Sequence, residues 1–182
     1  MRVLVTGAAG LVGYNTCKYY INRGHEVIGM DNLERSSLLG HEVSEVRRKF
    51  NWNKLVDMGV DMTLRDVSIP ASFGNLPDVD AIVHLAGQCG VPTSIANPMR
   101  DFEVNTLGTL NVLEFARKCR ENGKDTKVAF ASTNKVYNLH AGWYLPSETA
   151  SRWAWYESEI RIYGFSERMG KELDVLKGSR TP

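Results

Sequence analysis

Gly7, Gly10 and Gly13 stand at a spacing of three directly behind an apolar run, and Asp31 follows about twenty residues on, at the end of a second such run. Glycines in that pattern act through the backbone. Gly7 can turn where a side chain would clash, Gly10 lets the chain approach a ligand, and Gly13 lets the next helix lie close to its strand. The turn then aims free N–H groups and the positive end of a helix dipole at one point. A dinucleotide pyrophosphate is the natural occupant. An acidic side chain at position 31 would hydrogen-bond the adenine-ribose hydroxyls and repel a 2′-phosphate, which favours NAD over NADP; Arg35 is the nearby cation that could accept such a phosphate. A glycine trio by itself is equally a tight strand-to-helix turn, so the elements around it carry the argument.

Those elements alternate. Val3 to Val5 is short, largely β-branched and uninterrupted, as a strand buried on both faces of a parallel sheet should be, and Leu11, Val12 and Cys17 begin a helical pattern that ends near Gly24. A second strand covers residues 26–30, a charged helix about 44–58, and a third strand 60–64. Asp66, just beyond that strand, either reaches the adenine amino group or caps the helix that follows. The fourth strand, residues 80–87, is nearly all apolar and ends in small residues, and His84 within it reads as a buried strand histidine. Residues 88–98, with two prolines and several hydroxyls, read as a loop. Residues 99–122 read as one long helix whose apolar positions, among them Phe102, Leu110 and Leu113, cover more than one face. A fifth strand spans 126–131. The expected fold is a doubly wound, Rossmann-like parallel α/β sheet of order 3-2-1-4-5, with a ligand across the switch point.

Beyond that strand, residues 138–158 are irregular and aromatic, with Trp143, Tyr144, Trp153, Trp155 and Tyr156 either stacking on a ligand or holding down a long loop. Residues 1–137 are read as the nucleotide-binding domain, and 138–182 as a loop and tail of the same domain.

The 182 residues carry a net charge of +1, which offers no basic field for nucleic acid. No apolar run approaches a membrane span, and Met1 leads directly into a strand, so neither a membrane anchor nor a signal peptide is expected. Cys17, Cys89 and Cys119 are odd in number and lack metal-ligand spacing, which suits a reducing cytoplasm and no metal site.

At this point the residues resemble the extended short-chain dehydrogenases that act on nucleotide sugars, the epimerases and dehydratases. Gly7-x-x-Gly10-Leu11-Val12-Gly13 looks like their cofactor turn. Asp31-Asn32, Asp66-Val67, His84-Leu85-Ala86-Gly87 and Asn105-Thr-Leu-Gly-Thr-Leu-Asn111 match later signatures in the same order. The resemblance implies NAD as cofactor, Asp66 as an adenine contact, and Asn105 as a residue that holds backbone near the active site rather than reacting. Ser132-Thr133-Asn134-Lys135-Val-Tyr137, with Gln88, Thr93-Ser94 and Asn97-Pro98, is similar to the CDP-paratose 2-epimerases. Asn134-Lys135 stands where a 4,6-dehydratase would show Asp-Glu, and Asn138 departs from the usual glycine after the Val-Tyr pair. By the same resemblance Thr133 occupies the position whose hydroxyl bonds the reacting sugar hydroxyl, the alternative being a strand-end threonine that caps a turn.

In that family the base is a tyrosine with a lysine four residues later, the cation lowering a phenol pKa that is otherwise about 10. The one literal Tyr-x-x-x-Lys here, Tyr14 to Lys18, lies in the first helix, where it cannot serve. The resemblance therefore implies about the N-terminal half of a typical member, stopping before its catalytic helix and sugar-binding domain. It also implies that the apolar face of the 99–122 helix is covered by a second copy, by a complementing chain or by a rearranged C-terminal tail of this chain. Two functions follow as expectations: a nucleotide-sugar epimerase or its cofactor-binding half, or a module that binds NAD without turning it over.

Overall fold

Five parallel strands form one sheet in the order β3-β2-β1-β4-β5. They are β1 (Arg2–Thr6), β2 (Glu26–Asp31), β3 (Asp61–Leu64), β4 (Ala81–His84) and β5 (Lys127–Phe130). This computed structural model describes residues 1–34, 42–88, 90–132, 147–148 and 153–154. The apolar runs that suggested strands are strands, each within a residue of its expected limits except β4, which stops at His84, three residues short of the expected end at 87, and the sheet order is the expected one.

Alternation along β1 sorts the core onto two faces. Val3 and Val5 join Val27 with Cys17 of α1 (Leu11–Ile21) and Leu55 of α2 (Glu42–Asp57). Leu4, between them, joins Ile28 and Ile82 with Val112, Phe115 and Cys119 of α5 (Gly108–Glu121) on the other face. Every strand therefore ends at the same edge of the sheet, with helices closing both sides. That edge carries the site.

Two stretches differ from expectation. Residues 88–98 are not all loop, because Val91–Ala96 is a short helix, α3, with a proline in its first turn. Proline is at home there, since its missing N–H would be unpaired in any case. The hydroxyls of Thr93 and Ser94 turn inward to the Gly90 carbonyl, at 2.7 and 2.9 Å. The single long helix is instead α4 (Pro98–Phe102), a π-helical turn (Glu103–Leu107) and α5. Within that turn the Gly108 N–H reaches the Glu103 carbonyl, and Thr109 Oγ1 donates to the Asn105 carbonyl at 2.6 Å. A side chain at Gly108 would lie 2.8 Å from Val67 Cγ2, so the bulge sits where the helix presses closest to the segment after β3.

Of the apolar positions on this helix, Val112 and Phe115 are buried on the sheet, while Phe102, Leu110 and Leu113 are about half exposed. Cys17 and Cys119 are free thiols in the core, and Cys89 lies outside the described residues. Among the described residues no helix is long and apolar enough to cross a membrane. Residues 1–131 and 132–182 form two compact units. In the second, Ser147–Glu148 pairs antiparallel with Trp153–Ala154; the remaining aromatic residues of that stretch lie outside the described residues.

Candidate functional site

The turn after β1 is built from two close approaches. Gly7 has φ +69°, and a Cβ there would sit 2.8 Å from Ala86 N and 2.9 Å from Leu85 C and O, so the segment after β4 passes against it. A Cβ on Gly13 would come within 2.1 Å of the Gly7 carbonyl oxygen. This glycine seats α1 on the turn itself. At Gly10 the added carbon would meet only the Gly7 oxygen, at 3.1 Å, so the outer side of the turn is open to a ligand. Gly10 is also the N-cap of α1; no side chain caps that end, and its first turn holds no acid. The first N–H groups of an uncapped helix need an external acceptor, and the dipole favours an anion. Leu11 and Val12 occupy that first turn with exposed side chains.

Asp31 ends β2 beside this turn and is 4 % exposed. Its Oδ2 accepts from Ala9 N at 3.0 Å and its Oδ1 from Leu33 N at 2.8 Å. Asn51 Nδ2 donates to the Ala9 carbonyl at 3.0 Å from the other side. The acid expected to face a ribose thus also fixes the turn that would hold the pyrophosphate.

Asp66 makes a dense set of bonds. Its Oδ1 accepts from Ser68 N at 2.8 Å and Ser68 Oγ at 2.6 Å, and its Oδ2 from Asn32 Nδ2 at 3.0 Å and Arg100 Nη2 at 2.5 Å. Burial alone would raise this carboxyl, but the bonds from Ser68, Arg100 and Asn32 outweigh it and hold the pKa at about 2. Asp66 therefore caps the turn that follows β3. Asn32, Asp66, Ser68, Glu34, Ile69, Arg100, Glu103 and Leu107 line a cleft of about 660 Å³. Val67, the other half of the expected adenine pair, is buried, and its carbonyl accepts from Asn111 Nδ2 at 2.9 Å.

The segment after β4 is held from two directions. Asn105, in the π-helical turn, accepts from Gln88 N at 2.8 Å and donates to Gln88 O and Asp101 Oδ1, each at 3.1 Å. Thr6 Oγ1 accepts from Leu85 N and Ala86 N, both at 3.1 Å. That leaves the Thr6 hydroxyl proton for His84 Nδ1, at 2.7 Å. His84 Nε2 therefore carries the ring proton and gives it to Thr109 Oγ1 at 3.2 Å, and Thr109 passes its own to the Asn105 carbonyl. His84 is 2 % exposed, and burial lowers its pKa to about 4. A neutral imidazole here ties the glycine turn to the π-helical turn.

The structure thus gathers Gly7, Gly10, Leu11, Val12, Gly13, Asp31, Asn32, Asp66, Val67, Leu85, Ala86, Gly87 and Asn105 at the C-terminal edge of the sheet, around the switch point between β1 and β4. Thr133 and Arg35 lie outside the described residues. Sequence reading missed Arg100, Glu34, Thr6 and Thr109, whose partners are remote in the chain.

Comparison with known proteins adds three findings. The family described as NAD dependent epimerase/dehydratase matches residues 3–174. A CDP-paratose 2-epimerase of Salmonella typhi is 33% identical over 149 residues, covering 75% of this chain and 38% of that protein, and a putative UDP-glucose 4-epimerase of Methanocaldococcus jannaschii is 33% identical over 174 residues, covering 96% and 50%. Among solved structures, the Thermus thermophilus UDP-glucose 4-epimerase complex with NAD superimposes with a TM-score of 0.58 at 28% identity, covering 90% of this chain and 51% of that one. The chain spans half or less of the length of these curated relatives.

Proposed function

Because this chain belongs to the NAD-dependent epimerase/dehydratase family, we propose that it supplies the cofactor-holding part of a nucleotide-sugar epimerase. The observation that carries the reading is the open, uncapped N-terminus of α1 on its glycine turn, with Asp31 braced beside it. These groups fit NAD. When bound, it removes a hydride from a sugar carbon and returns it, the redox chemistry that epimerisation through a keto intermediate requires. The backbone N–H groups at Leu11 to Gly13 would take the pyrophosphate, Asp31 the ribose hydroxyls, and Asp66 with Val67 the adenine edge. Leu85 to Gly87 bring backbone close to the cofactor, and Asn105 fixes the end of that segment at Gln88. Thr133 would orient the reacting sugar hydroxyl. The relatives' names support a nucleotide-linked sugar as the substrate class, with a 2-epimerase-like reaction favoured by the residue block 132–137.

A second reading is a module that holds NAD without turning it over. Within these 182 residues the one Tyr-x-x-x-Lys is Tyr14 to Lys18, and Tyr14 packs against the α1-side core. Epimerisation of a UDP- or CDP-hexose by the purified chain would exclude this module reading.

Calorimetric titration with NAD⁺ tests the shared premise. The chain is expected to show saturable binding, and Asp31→Ala to weaken it at least about tenfold, since both a charge-assisted ligand bond and the brace on Ala9 are lost. No binding by the folded chain would leave the glycine turn as architecture alone.

We also infer that the half-exposed Phe102, Leu110 and Leu113 face a second copy or a complementing chain. Sedimentation should show association of the chain with itself or its complement, and Leu110→Glu should disrupt it. A monodisperse monomer with no complementing partner would argue against this inference.

A further inference from the structure

Arg100 reaches out of α4 to two segments far from it in the chain. Its Nε donates to Glu34 Oε1 at 2.9 Å while Nη2 bonds Glu34 Oε2, a side-on fork. Nη2 also donates to Asp66 Oδ2 at 2.5 Å, Nη1 to Ser68 Oγ at 2.9 Å, and Nη1 lies 3.4 Å from Glu103 Oε2. The side chain is only 18% exposed, and Glu34 first, then Asp66, raise its pKa so that it stays charged. Three carboxylates surround one guanidinium, giving the cleft a formal charge of −2.

Asn32 and Glu34, which line this cleft, follow directly on Asp31, the acid assigned above to the adenine ribose. Where such sites take a 2′-phosphate, an arginine near the end of the second strand receives it. The fork that binds Glu34 is also the geometry with which arginine binds phosphate. We propose that Arg100 is a latent 2′-phosphate receptor, and that Glu34, by occupying its fork, makes this pocket select a dinucleotide with a free 2′-hydroxyl. The inference rests on the cofactor reading above and adds to it a specificity residue outside the glycine motif. A 2′-phosphate entering the parent cleft would have to displace one carboxylate and sit beside two more. Without Glu34, Nε and one Nη2 hydrogen become available, while Asp66 and Ser68 still hold the guanidinium in place.

The test is calorimetric titration of the chain with NAD⁺ and with NADP⁺, in the parent, Glu34→Ala, Glu34→Gln and the double variant Glu34→Ala/Arg100→Ala. The parent should prefer NAD⁺. Glu34→Ala should shift the ratio of the two affinities toward NADP⁺ by at least about tenfold, the worth of one charge-assisted phosphate fork. Glu34→Gln should shift it less, in the same direction, and the double variant should lose the gain. Residual NAD⁺ binding reports that a variant is folded; if Glu34→Ala binds neither nucleotide, the isosteric Glu34→Gln decides. An unchanged ratio in a variant that binds NAD⁺ overturns the proposal and leaves the cofactor reading intact. A gain that persists in the double variant assigns the phosphate to another cation and also overturns it. A parent that binds neither nucleotide overturns the cofactor reading, and this proposal with it.

Discussion

Gly13→Ala is expected to abolish measurable NAD⁺ binding and to destabilise the chain by at least about 2 kcal/mol, the upper part of the range for overpacking a well-filled site. The added carbon would lie 2.1 Å from the Gly7 carbonyl oxygen and 2.8 Å from Ala8 Cα. Both are backbone atoms, so no rotamer change relieves the clash. The helix must lift off the turn or the turn must open, and either movement disperses the N–H groups that would converge on a pyrophosphate. Gly10→Ala is the informative contrast. There the new carbon meets one oxygen at 3.1 Å and otherwise open space, so the fold should lose less than about 1 kcal/mol, while binding falls because the methyl occupies the ligand's approach. Denaturant midpoints and calorimetry on the two variants separate packing from ligand contact. Parental binding by Gly13→Ala would mean that α1 does not seat on this turn in solution.

The parts of this site that sequence revealed are the parts that are local. Three glycines in seven residues and an acid at the next strand end encode the turn and its neighbour in a short span, and buried parallel strands are short apolar runs whatever they pair with. Sheet order followed from the doubly wound pattern that the glycine turn after the first strand marks, with the crossover rule fixing its hand. The α3 helix was hidden because Pro92, Thr93 and Ser94 look like loop residues until the hydroxyls are seen turned onto Gly90. The π-helical turn was not legible because the extra residue it takes in carries the apolar positions round the helix axis, which in the sequence reads only as one helix apolar on more than one face. Asp66 could be read as cap or as adenine contact. Its cap is visible two residues away in Ser68, but its partner Arg100 is 34 residues off. Likewise His84 was legible as a buried strand histidine, whereas Thr6, 78 residues away, and Thr109, 25 away, came together only through the sheet.

That histidine makes the stability of the chain depend on mild acid. A buried imidazole held at about 4 against an ordinary value of 6.5 is neutral in the folded chain and takes up a proton more readily when unfolded. Its contribution is therefore complete above pH 6.5 and is lost as pH falls toward 4, for a total of about 3 kcal/mol. The bonding explains why the folded chain resists the proton. Thr6 Oγ1 already accepts two backbone N–H groups and must donate to Nδ1, so a protonated Nδ1 would place donor against donor. Relieving that conflict means turning the Thr6 hydroxyl away from Leu85 and Ala86, the backbone that packs on Gly7. NAD⁺ affinity should accordingly weaken in the same window in which stability falls. Asp66 acts lower: held at about 2 against 3.8, its contribution is present above 3.8 and disappears only as pH drops toward 2. Unfolding free energies measured from pH 7 to pH 2.5 should thus fall in two stages. His84→Gln, which does not titrate, should flatten the stage between 6.5 and 4 while leaving the lower one, and Asp66→Asn should do the reverse. A parent whose stability is level from pH 6.5 to 4, or a His84→Gln variant that keeps the parental slope, would show that this imidazole is not locked between Thr6 and Thr109.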